Sequence, residues 1–149
     1  IVTARNTGTG KVFEATVVPA LELNGYDVKL QVLVGTTPNG KAHYVDAVVT
    51  TPGANPEEIL VSNKWQQSPG TAEQKVPYEV IRLLHTMNEQ KNPDGTPKYA
   101  RAYLILGGDG WTLRDYFQSG ELAKYITGSN RVKIVTTDRF LALANKKAL

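Results

Sequence analysis

The chain has 149 residues, a formal net charge of +3, no cysteine and two histidines. That length suits a single domain over residues 1–149 with a real core and no disulfide staples. Thiolate sites are excluded, and His43 with His85 cannot build a zinc cage, so any metal would sit on oxygen ligands, which suits magnesium or manganese.

Phe13, Val17, Ala20 and Leu21 follow helical spacing behind residues 7–10, and Asn24 with Gly25 forms a helix stop. Pro19 removes a backbone donor inside this helix and predicts a kink. Residues 26–34 read as a strand, 36–40 as a turn and 43–50 as the antiparallel return. The loop 51–56, with Pro52, Gly53 and Pro56, leads into a third strand over 59–66, which completes a meander. Ser68, Pro69 and Gly70 break the sheet, and Thr71 with Gln74 reads as a capping box for a helix reaching about residue 85 or 88. After a polar loop over 92–98, the apolar run 103–106 suits a buried parallel strand. Gly107, Gly108, Asp109 and Gly110 turn into a helix carrying Leu113, Tyr116, Phe117, Leu122 and Tyr125, interrupted at Gly120. A strand over 132–136 and a last helix, capped by Asp138 and carrying Phe140, Leu141 and Leu143, complete an α/β chain with a mixed sheet.

Alternation puts Ser62, Lys64 and Gln66 on one face of the third strand and Val61, Asn63 and Trp65 on the other. Asp46 lies on the neighbouring strand, so a carboxylate and an ammonium share one sheet edge, where they can hold a divalent ion and a phosphate together. A purely structural Asp-Lys pair is the simpler alternative. Glu73 is in step with Val76 and Val80 and is expected to face the sheet; a first-turn acid that only complements the helix dipole is the competing role. Glu14 is spaced from Val17, Val18 and Leu21 so that it shares their apolar face, where an isolated carboxylate is costly.

The element order, with Val45-Asp46 on the second strand and Ser62-Asn63-Lys64 on the third, resembles the PD-(D/E)XK nuclease superfamily. Residues 64–78 and Gly107-Gly108-Asp109-Gly110-Trp111 look like stretches of its restriction-endonuclease-type members. The resemblance covers about residues 11–140 and implies a restriction-endonuclease-like core, αβββαβ followed by a C-terminal αβα, around a mixed central sheet flanked by helices. The departure is Ser62, a neutral hydroxyl where the pattern has Asp or Glu; members with the same Ser-X-Lys bring a carboxylate from the following helix. Glu73 is the first choice for that acid and Glu79 the second. By the same resemblance, Asp46, Glu73 and the main-chain carbonyl of Asn63 are the expected metal ligands, for Mg2+ with Mn2+ as substitute. Lys64 is the expected catalytic ammonium, Gln66 a water- or phosphate-positioning group, Ser62 a helper, and Glu14 a bordering acid.

The implied substrate is double-stranded DNA, cut to 5′-phosphate and 3′-hydroxyl ends by a divalent-metal-dependent endonuclease, a type II restriction-type enzyme acting as a homodimer with one site per strand. Arg5, Asn6, Lys41, His43, Asn63, Gln67 and Lys75 are candidates for contacts to bases or phosphates. Junction resolution or repair suits the same core, as does an inactive DNA-binding module with Ser62 as the trace of lost catalysis. The Gly107–Gly110 turn lacks the spacing of a dinucleotide fingerprint and has no P-loop Lys-Ser/Thr after it, so no organic cofactor is expected. No apolar run approaches the roughly 20 residues that cross a bilayer and no signal peptide is visible, so no membrane role and a cytoplasmic location are expected.

Overall fold

The computed structural model describes residues 8–149, which leaves Arg5, Asn6 and Thr7 outside the described residues. Helix α1 (Gly8–Val12) runs through a π-helical turn over Phe13–Val17 into α2 (Val18–Leu23). Pro19, where a kink is expected, falls in the first two positions of α2, and the wider turn lies directly before it. Phe13, Val17 and Leu21 are buried, but Glu14 is exposed, against the expectation that it shares their face. With i→i+5 bonding, the neighbours of Glu14 along the axis are no longer the residues three and seven ahead.

A single five-stranded sheet follows, in the order β1 (Asp27–Thr36), β2 (Ala42–Thr50), β3 (Glu58–Trp65), β4 (Tyr99–Gly107), β5 (Val132–Thr136). The first three strands form the antiparallel meander, and β3–β4 and β4–β5 are parallel. Helix α3 (Ala72–Glu89) makes the crossover from β3 to β4 on one face, while α2 and α5 (Thr137–Asn145) cover the other. This is a mixed sheet flanked by helices, the restriction-endonuclease-like arrangement that the sequence implies. Among the described residues, no helix is long and apolar enough to cross a membrane.

Val76, Val80, Leu83 and Met87 recur at helical spacing along α3, are fully buried, and pack on Leu60, Leu104 and Leu106. Burying side chains of this size stabilises the fold by about 1.5–3 kcal/mol each. On the other face, Phe13, Val17, Leu21 and Phe140 pack on Ala47, Ile59, Val61 and Ile105. The helix expected after Gly110 is a short α4 (Arg114–Gln118), ended before left-handed Gly120 and followed by a 3₁₀ turn over Glu121–Lys124.

Two caps differ from expectation. Thr71 stands at the N-cap of α3 without a side-chain hydrogen bond; the side chain of Gln66 does the capping from the end of β3, its Oε1 accepting from the Ala72 N–H at 3.0 Å. Thr136, not Asp138, caps α5 through its Oγ1, which accepts from the Arg139 N–H at 3.1 Å.

The Gly107–Gly110 turn is a packing device. Gly108 has φ +87°, and a Cβ there would lie 2.4 Å from the carbonyl oxygen of Gln66. The turn presses against the end of β3, where the Gly110 N–H donates to that same oxygen at 2.8 Å. Gly108→Ala should therefore cost about 3 kcal/mol, through strain and lost contact, and lower Tm by roughly 6–12 °C in a thermal melt.

Candidate active site

The site forms where β2 and β3 part. Their ladder runs from Thr50↔Glu58 to Ala47↔Val61 and goes no further, so the main-chain N–H of Asn63 has no strand partner across from it. The carboxylate of Asp46 takes that role, its Oδ2 accepting from the Asn63 N–H at 2.7 Å. On the other side, Asp46 falls between two paired positions of β2, opposite Gln31, which has φ +51° in the middle of β1. A positive φ at a non-glycine strand residue is strained backbone of the kind found at functional sites.

Burial holds the Asp46 carboxyl above its ordinary pKa, and the Asn63 N–H, the nearby Lys64 ammonium and the Gln31 side chain offset part of that cost. Among oxygen ligands, a desolvated carboxylate gains most from a cation placed against it.

Ser62 and Lys64 point to the α3 face, where both meet Glu79. Ser62 Oγ donates to Glu79 Oε2 at 2.7 Å, and Lys64 Nζ lies 3.5 Å from Glu79 Oε1. Arg82, one turn along α3, donates from Nη1 to the same Oε1 at 3.0 Å. The Glu79 side chain is only 5% exposed, so its carboxylate is held in place by a hydroxyl and two cations. Asp46, Ser62, Lys64 and Glu79 thus form one constellation, in which the Coulomb fields of Lys64 and Glu79 both act on Asp46.

Glu73 and Gln66 lie outside it. Glu73 is turned inward, but its oxygens accept from the Thr112 N–H, the Thr112 hydroxyl, the Leu113 N–H and the Gln66 amide, at 2.8 to 3.2 Å. These bonds, the Thr112 N–H foremost, hold its pKa below the ordinary carboxylate value. Gln66 completes the junction by donating from Nε2 to the Gly110 carbonyl at 2.9 Å. Both side chains tie the start of α3 to the segment before α4, where the Glu73 oxygens and the Gln66 amide group are engaged.

Glu79 is the residue that the sequence ranks second, though it carries a comparable signal: it lies three residues after Val76 and four before Leu83, on the buried face of α3. His43, a candidate for base contact, is fully buried with Nδ1 2.7 Å from Thr86 Oγ1, which leaves it no access to a groove. Lys41, Gln67 and Lys75 are exposed.

The family model described as a PD-(D/E)XK nuclease superfamily domain matches residues 5–148, and the chain belongs to that superfamily. Its function is accordingly of the nuclease type. No curated protein matches the sequence.

Proposed function

We propose that the chain is a divalent-metal-dependent endonuclease acting on double-stranded DNA, with Asp46, Glu79 and Lys64 as its working set. The supporting observation is that these side chains and Ser62 converge at the one point where β2 and β3 separate. On this reading Ser62 does not replace the missing acid but hydrogen-bonds the acid that α3 supplies.

The donor set fits a hard cation. Among the described residues no group of three or more acidic or histidine side chains converges; the groups that would hold an ion on this reading are Asp46, Glu79 and the Asn63 carbonyl, with water completing the set. Magnesium, which keeps several waters and takes one or two carboxylates, suits so sparse a set. When bound, it would supply Lewis-acid polarisation of the phosphate and activation of water. Lys64 places an ammonium where negative charge develops on the phosphoryl oxygens and orients the attacking water. Arg82 and Ser62 position Glu79, and the Asn63 N–H positions Asp46.

The role we propose within that activity is restriction-type double-strand cleavage by a homodimer, with one active site for each strand. The deciding experiment incubates supercoiled plasmid with the protein in magnesium, manganese, calcium or EDTA, beside Lys64→Ala. Cutting in magnesium and manganese, lost in EDTA and reduced at least about 100-fold in the variant, is expected. Cutting in EDTA would overturn the metal requirement, and an undiminished Lys64→Ala would overturn the assignment of the site. A discrete band pattern would support the restriction role.

A further inference from the structure

A pocket of about 390 Å³ opens on the sheet face opposite Lys64, at the carboxyl ends of β3 and β4 and beyond β5. In open α/β sheets this end is where ligands lodge. Its volume lies near the lower limit of small-molecule sites, enough for one ring system and little more. Among the described residues its walls include Trp65, Gln67, Asp109, Thr137, Asp138 and Leu141.

Trp65 is built in as a platform. Its indole rests against Gly107, where a Cβ would lie 2.7 Å from Trp65 Cε3 and 3.0 Å from Cζ3. Only glycine at 107 lets the ring lie that close, and the ring is half-buried while lining the pocket. Leu141 supplies a second apolar wall. Asp109 and Asp138 offer acceptors to a group rich in N–H donors, Arg114 adds a guanidinium whose Nη2 donates to the Gly108 carbonyl, and Gln67 and Thr137 add adaptable donors and acceptors. An aromatic platform, an apolar wall and carboxylates that accept from ring amino groups are the elements that hold an unstacked nucleobase.

Position completes the argument. Trp65 directly follows Lys64 on β3, their Cα atoms about 3.8 Å apart and their side chains on opposite faces. Lys64 and the pocket therefore lie on either side of the same strand end, and a nucleic-acid strand held at Lys64 has to round the end of β3 for a neighbouring nucleotide to reach Trp65. We infer that the pocket receives one unpaired base of the nucleic-acid substrate, with Trp65 as the stacking surface. This inference rests on the nuclease reading above.

The test measures equilibrium binding in calcium to three labelled duplexes of one sequence: fully paired, with a single unpaired base, and with an abasic residue at that same position. The wild-type protein should bind the unpaired-base duplex about tenfold more tightly than the abasic one. Trp65→Ala should erase that preference and Trp65→Phe should keep part of it. Equal binding of the two duplexes by the wild-type protein, or a preference kept by a Trp65→Ala protein shown folded by circular dichroism, overturns the inference and leaves the nuclease reading standing. If Trp65→Ala does not fold, the wild-type comparison and Trp65→Phe decide. Absence of binding to any duplex, together with absence of plasmid cutting, overturns both.

Discussion

Glu79→Gln should reduce the rate of magnesium-dependent cleavage by about 100- to 1000-fold, while Glu73→Gln leaves the rate per folded molecule within about threefold of wild type. The two acids lie on the same buried side of α3, but only Glu79 reaches Ser62 and Lys64. Its amide would keep an acceptor for Ser62 and lose the charge that a divalent ion and Lys64 both use. Glu73 should show itself in stability instead, because Thr112, Leu113 and Gln66 donate to it in the folded state. Its pKa is lowered on folding, so its contribution is present above the unfolded carboxylate value of about 4.3 and is lost as pH falls through the folded one. A thermal melt of Glu73→Gln should thus lie below wild type at neutral pH and converge with it in acid. The reverse pattern, with Glu73→Gln inactive and Glu79→Gln cutting normally, would return the second ligand to Glu73.

The contrast shows how far helical spacing carries. Glu73 is in step with Val76 and Val80, and Glu79 with Val76 and Leu83, and that periodicity identifies the inward face without saying which strand residue stands opposite. The identity of the partner depends on where α3 begins relative to the end of β3. That start is set by the Gln66 amide capping Ala72 and donating to Gly110, a long-range bond that a local capping motif at Thr71 does not reveal. The meander was legible because β1, β2 and β3 are dense in β-branched residues and separated by Gly and Pro turns. Strand β4 begins at Tyr99, ahead of the apolar run 103–106, and Ala100 with Arg101 hides that start from the apolar pattern; Arg101 is held by Glu57 and the Leu149 carbonyl. Glu14 leaves the apolar face because a 3.6-residue period does not hold through the π-helical turn that lies directly before α2.

Asp46→Asn should abolish detectable cleavage, a loss of about 1000-fold or more, and at the same time raise the melting temperature. The two effects share one cause. Burial raises the pKa of Asp46 in the folded state, and the Asn63 N–H and Lys64 repay only part of the desolvation. Between the unfolded value near 3.9 and the raised folded value the native state binds more protons, so stability falls as pH climbs through that window. At neutral pH the ionised carboxylate therefore costs stability, which Asn removes while its side-chain oxygen still accepts from Asn63. Melts at pH 7 should place Asp46→Asn above wild type by about 2–4 °C for each kcal/mol relieved, with the gap closing below about pH 4. Magnesium should raise the wild-type melting temperature more than that of the variant, because the ion neutralises the same buried charge. A variant that melts below wild type at pH 7, or that gains equally from magnesium, would show that Asp46 is a structural partner of the β3 main chain and not the seat of the metal.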